Sequence, residues 1–207
     1  MDDAENLPLF PLDLVLLPGE TVPLHIFEER YKRLMATLRR EGGEFGIILA
    51  EEERIHETGC TAVLAGVIEE FEDGRLNVLV EGQRRFRILE LQTPADEESD
   101  CLHATVSFFG DRDQGSRELS DAALAAYAGL LEAMGMGGSQ VPGGAAALSF
   151  RLASSLDLGS DVKQALLESE SESERLKDLV SVAKVLLPRL EAQRKRADAI
   201  RGNGKGM

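Results

Sequence analysis

LPLFPLDLVLLPGETVPLHIFEERYKRLM, residues 7–35, decides how the chain folds. Pro8, Pro11, Pro18 and Pro23 interrupt its run of Leu, Val, Ile and Phe at intervals too short for a long helix, because proline lacks a backbone N–H and crowds the preceding turn. The opening therefore reads as short strands joined by tight bends. Pro18-Gly19 marks a turn, with proline fixing φ at one position and glycine free to take positive φ at the next. A second apolar strand follows over about residues 21–27. Then the period changes: Tyr31, Leu34, Met35 and Leu38 fall at i, i+3, i+4 and i+7, one face of a helix over residues 28–40. Glu28 and Glu29 in its first turn and Arg39 and Arg40 in its last suit the helix dipole.

Working outward, Glu41-Gly42-Gly43 stops the helix, residues 45–50 read as a short strand, and the charged residues 51–57 as a loop or bend. Residues 60–71 form a long apolar strand with Gly66 inside it, where strands commonly bulge. Asp73-Gly74 is a hairpin signal leading into a strand over residues 75–81. Another strand, residues 84–91, follows across Glu81-Gly82; Phe86, Ile88 and Glu90 share one side and Arg85, Arg87 and Leu89 the other, a half-solvated pattern. The acidic loop 96–100 precedes a last strand over residues 102–109. Six or more short strands with hairpin connections and one early helix make a small closed or nearly closed β structure.

Residues 110–116 hold no apolar side chain and read as a domain boundary. Beyond them Ser120 caps a helix with Leu124, Tyr127, Leu131 and Met134 on one face, ended by Gly135-Met136-Gly137-Gly138. A glycine-rich loop, residues 135–144, is expected to be mobile. Helices are expected over residues 145–156 and 161–167, the latter with Asp161 and Gln164 as a capping box. Ser171 and Glu174 form another box before a long helix striped by Leu176, Leu179, Val180, Ala183, Leu187 and Leu190, which Pro188 should kink. The division is residues 1–110, residues 117–201 and a frayed tail at 202–207.

A hydrophobic fraction of 43% with 29% charged residues is ordinary for a water-soluble chain, and no apolar run reaches the length of a membrane span. The acidic start MDDAEN is unlike an export signal, which makes the cytoplasm the expected location. Residues 1–110 carry 10 Lys+Arg against 23 Asp+Glu, whereas residues 111–207 carry 13 against 14. A field of that sign repels phosphate backbones, so no nucleic-acid partner is expected for the β-rich half. Cys60 and Cys101 have no metal-ligand spacing and read as two buried thiols.

The ordered set Pro11-Leu12, Pro18-Gly19, Pro23-Leu24, Phe27, Glu28 and Tyr31 resembles the amino-terminal substrate-binding domain of the Lon protease family, and more closely the stand-alone bacterial proteins made of that domain. Further echoes are Glu81-Gly82-Gln83-Arg84-Arg85-Phe86, Ser149-Phe150-Arg151-Leu152-Ala153 and Gln164-Ala165-Leu166-Leu167-Glu168. The resemblance implies an α+β chain, a small PUA-like β pseudo-barrel followed by an α-helical bundle. It also implies a non-catalytic module that holds hydrophobic or unfolded polypeptide segments or serves as a protease adaptor. Its partners would be such segments and a protease or chaperone, with no membrane.

The ATPase and serine–lysine peptidase of full-length Lon proteases have no counterpart in the residues. No G-x-x-x-x-G-K-[ST] loop exists, and the serines at 154–155 and 169–173 are explained by helix capping. His25, His56 and His103 stand at unrelated spacings, so no metal and no cofactor is expected. Contiguous carboxylates such as Glu51-Glu52-Glu53 and Glu69-Glu70 point to opposite faces of a strand and read as solvated surface. What remains is binding. Leu12, Leu14, Leu16, Leu24, Phe27 and Tyr31 are the candidate polypeptide contacts, either as an exposed apolar patch, or covered by the helices, or lining a groove between the two halves. Arg84, Arg85 and Arg87 are candidate polar contacts, for internal ion pairs or for a carboxylate-bearing partner. The rival reading is a nucleic-acid-binding or RNA-modification accessory, suggested by the PUA-like fold and the basic residues after 189.

Overall fold

The computed structural model describes residues 4–51, 54–92 and 101–203, with side chains to residue 196. The β-rich part comprises β1 (Glu5–Leu12), β2 (Thr21–Ile26), α1 (Glu29–Glu41), β3 (Phe45–Glu51), β4 (Arg54–Glu70), β5 (Leu76–Gln92) and β6 (Leu102–Phe108). Four helices follow: α2 (Arg117–Ala133), α3 (Leu148–Ala153), α4 (Ser160–Glu168) and α5 (Glu172–Asn203). The architecture is α+β, a six-stranded mixed sheet followed by helices. Strand order is β2-β5-β4-β3-β1-β6, and β5 pairs with β6 as well, so five strands close a ring to which β2 is added at the outer side of β5. β1 and β3 run parallel; the other pairs are antiparallel.

Alternate strand residues supply two apolar clusters. Leu7, Leu9, Ile48, Phe86, Ala104 and Val106 form the smaller one. Gly46 and Gly59 make room for it: a Cβ at either would stand within 2.7 Å of the Phe86 ring. Their neighbours Phe10, Ile47, Leu49, Cys60 and Val80 join the larger cluster, which continues through Met35 of α1 into Tyr127, Phe150, Leu166 and Leu176 of the helices.

The expected loop at 51–57 is instead hairpin, with Ala50 opposite Ile55 and Glu51 opposite Arg54; residues 52–53 lie outside the described residues, as does the acidic loop 96–100. The two strands expected on either side of Glu81-Gly82 are one, β5. Gly82 is there for close approach rather than for a turn: a Cβ on it would lie 2.2 Å from the Leu17 carbonyl oxygen. The segment before β2 crosses at that point, Gly19 N–H donating to Gly82 O at 2.8 Å and Gly82 N–H to Glu20 O at 2.9 Å. The turn at Asp73-Gly74 is as expected, Gly74 N–H donating to Phe71 O at 2.9 Å.

In the helical part, α2 is capped by Ser116, whose Oγ accepts from Leu119 N–H at 3.2 Å, while Ser120 lies inside the helix. The buried face of α2 is Ala123, Tyr127, Leu130 and Leu131, and Met134 at the helix end is 44% exposed. Gln164 does not close a capping box: its side-chain N–H groups donate to Thr58 O at 3.1 Å and Glu168 Oε1 at 2.7 Å, tying α4 to β4. Ser171 does accept from Glu174 N–H, at 3.2 Å. α5 continues through Pro188 to Asn203, and the tail beyond lies outside the described residues.

The apolar-free segment after β6 is an anchor. Asp111 accepts from Arg85 at 2.5 Å and from Arg175 at 2.6 and 2.8 Å. Arg85 also donates to Leu167 O and Ser169 O, and Arg175 to Glu172 and Ser149 Oγ. Arg85 is therefore buried, not half solvated, because the α4–α5 connection closes over it. Burial draws its guanidinium below the ordinary pKa, and the Asp111 charge opposes that shift.

Candidate functional site

β2, the first half of β5 and the second half of β4 form a three-stranded arm. Its rows are Thr21–Glu81–Val63, Val22–Val80–Leu64, Pro23–Leu79–Gly66, Leu24–Val78–Val67, His25–Asn77–Glu69 and Ile26–Leu76–Glu70. Register shifts between Leu64 and Gly66, and again between Val67 and Glu69, each insert one extra residue in β4. A bulge re-aims the side chains that follow it. Leu64, Val67 and Glu70 consequently all turn to α1, where with Met35 and Leu76 they line a cleft of about 410 Å³.

The opposite face of the arm is open. Phe27 is 59% and Ile68 57% exposed, Pro23 and Ala65 are exposed, and Val63 and Leu79 are half-buried. At one end the rings of Phe27 and Phe71 flank His25, at centroid distances of 6.2 and 6.0 Å, and the Arg75 guanidinium lies over Phe71. His25 Nδ1 is 2.7 Å from Asn77 Oδ1, and Asn77 donates to Glu69 at 3.0 Å, so the polar members of the face brace one another. This arrangement offers apolar area within an acidic frame of Glu69 and Glu81.

The six apolar residues singled out in the sequence are not brought together. Phe27 stands on the open face. Leu12 and Leu14 are half-buried against the larger cluster, and Leu16, Leu24 and Tyr31 are buried within it, where a partner cannot reach them without rearrangement. Tyr31 stacks on Phe10 at 3.8 Å, and burial pushes its phenol up to about 12. Of the residues that accompany Phe27, Ile68 escapes a sequence reading because a bulge in β4 decides its side, and Val63, Leu79 and Phe71 because only the pairing of β2, β5 and β4 brings them beside it. The signal was Gly66, which marks a bulge without saying which residues it turns outward.

The arginines are all engaged internally. Arg84 lies 3.7 Å from the Phe108 ring and pairs with Glu44 at 3.1 Å, Arg85 serves the Asp111 anchor, and Arg87 is 3.5 Å from Glu170. A polar cleft of about 410 Å³ does lie at the seam of β4 and α4. In it His56 sits between Glu51 at 3.6 Å and Glu168 at 3.7 Å. Among the described residues no group of three or more His, Cys, Asp or Glu is placed to hold a metal ion.

The family model of the ATP-dependent protease La (LON) substrate-binding domain matches residues 6–184. Among solved structures, the Lon N-terminal domain protein from Xanthomonas campestris is 28% identical and superimposes with a TM-score of 0.67 over 86% of this chain and 98% of its own. The N-terminal domain of the Mycobacterium avium complex Lon protease shares the fold at 21% identity, TM-score 0.65, over 87% and 98%. Protein cereblon from Danio rerio is 31% identical over 103 residues, and that from Xenopus tropicalis 30% over 100, in each case 46% of this chain. The chain spans about a quarter of the length of these curated relatives, 24% and 22%.

Proposed function

The chain belongs to the ATP-dependent protease La (LON) substrate-binding domain family, and from that premise we propose that it is a non-catalytic polypeptide-recognition module. It holds hydrophobic or unfolded segments on the open face of the β2–β5–β4 arm, alone or as an adaptor that presents them to a protease or chaperone. The observation that carries this reading is the exposure of Phe27 and Ile68 on the open face of the arm, with Pro23, Leu79 and Val63 on the same face. Contiguous exposed apolar surface commonly marks an interaction site. Burying it gains roughly 25 cal/mol per Å², less the cost of ordering the client, which makes binding weak and tolerant of sequence. The proposal includes the division into a barrel over residues 1–110 and helices over 117–201, and a cytoplasmic location. No helix among the described residues is long and apolar enough to cross a membrane.

The test is fluorescence anisotropy with a labelled, permanently unfolded polypeptide and its folded counterpart, at low and high salt. The unfolded chain alone should bind, and binding should survive high salt because apolar burial is not screened. Phe27→Asp should weaken it by about tenfold or more, a loss of ~1.4 kcal/mol, with unchanged circular dichroism. Equal binding by a folded Phe27→Asp protein sinks the placement on this face; a steep loss with salt shows that screened ionic contacts, not apolar burial, hold the polypeptide.

A further inference from the structure

β2 lies at the end of the strand order and has a strand partner on one side. Which of its backbone groups face the open side follows from two facts. Gly82 N–H donates to Glu20 O, so Glu20, and by alternation Val22, Leu24 and Ile26, point their backbone groups toward β5. Pro23, which has no N–H, falls in the other set, where none is needed for the β5 ladder. The N–H groups of Thr21 and His25 and the C=O groups of Thr21, Pro23 and His25 therefore face away from the sheet. None has a protein partner among the described residues, and all three residues are exposed.

We propose that this edge of β2 is a strand-addition site: an extended segment of a client polypeptide, apolar at alternate positions and free of carboxylates, pairs its backbone with Thr21, Pro23 and His25. The inference rests on the polypeptide-recognition reading and gives it a mode of binding. The row of unsatisfied donors and acceptors, spaced two residues apart, is complementary to the backbone of another strand and to little else. An added strand sends every second side chain to the open face, beside Pro23 and Phe27, so main-chain pairing and apolar burial are gained together. Backbone pairing is blind to sequence, as a module for many clients requires. Glu69 and Glu81 on the same face repel carboxylates. Pro23 withholds one donor from the middle of the edge, which keeps the added ladder short and its occupant exchangeable and guards against indefinite stacking of strands.

The experiment uses the full chain and a short labelled peptide of alternating valine and threonine with a terminal lysine, read by anisotropy. Two N-methylated versions of the peptide block either one set of alternate amides or the other. Methylation of one set should weaken binding by about tenfold or more, and of the other by less than about twofold. The double variant Thr21→Pro/His25→Pro, which removes the two outward donors and leaves the β2–β5 ladder its own, should weaken the unmethylated peptide comparably. If both methylated peptides bind as the parent does, strand addition is overturned while recognition through side chains stands; the peptides decide this even where the proline variant does not fold. A folded proline variant that binds normally overturns it equally. If the wild-type chain binds neither this peptide nor an unfolded polypeptide, the recognition reading itself falls.

Discussion

Arg175 of α5 and Asp111 of the segment after β6 meet at 2.6 Å, with the guanidinium wholly buried. The same carboxylate pairs with Arg85 of β5 at 2.5 Å, so one side chain bridges two buried cations contributed by the barrel and by the helices, and Glu172, 2.7 Å from Arg175, supplies the second negative charge. Removing one partner of a buried pair is costly chiefly because it strands the other charge. Asp111→Ala should destabilise the fold by about 3–5 kcal/mol, measured by urea denaturation at pH 7. A loss below about 1 kcal/mol would show that the pairs behave as exposed ones.

Gly82 gives a second expectation, of steric rather than electrostatic origin. With the Leu17 carbonyl 2.2 Å from where a Cβ would be, Gly82→Ala must push the crossing segment off β5 and break the bonds to Gly19 and Glu20. Overpacking of this kind costs about 1–3 kcal/mol, and here the obstacle is backbone, which yields less readily than a side chain. The thermal midpoint should fall by several degrees, whereas Gly66→Ala, with open space around that position, should shift it far less.

A third concerns acid. The hydroxyls of Ser171 and Ser173, the backbone N–H of Gly115 and that of Ser173 all donate to Asp113, which holds its carboxyl well below the usual carboxylate range. A group depressed on folding adds stability that is fully present above its unfolded pKa of about 3.9 and is lost as pH falls from there through the folded value. Urea midpoints of wild type and Asp113→Asn should differ more at pH 7 than at pH 3. A gap that is the same at both pH values would assign the effect to shape and not to charge.

How far the sequence could be read follows from the range of each signal. The strand–turn–strand–helix opening, the helix at Glu29–Glu41 and the turn at Asp73-Gly74 are local, set by proline, by glycine and by period, and they stand as read. Gly82 was misleading because a glycine needed for close approach looks the same as one needed for a turn until the crossing segment, more than sixty positions earlier, is in place. Within the candidate site Phe27 was legible as an apolar residue at the end of a strand. Ile68 was not, since its side depends on inserted residues in β4, and Leu79 was not, since only its pairing with Pro23 of β2 and Gly66 of β4 sets it beside Phe27. Arg85 had the residue type of an ion-pair partner, but its carboxylate and its fellow guanidinium come from positions 111 and 175, which no spacing rule connects.

β1 sits between β3, with which it runs parallel, and β6, with its residue Glu5 opposite Val106. During synthesis β1 thus waits for about one hundred further residues before its second partner exists. Contacts so distant along the chain slow folding, because the loop must close before any pairing rewards it. Until then β1 is a proline-bearing apolar strand with an open edge, in need of the same kind of shelter that the finished arm is proposed to give to others.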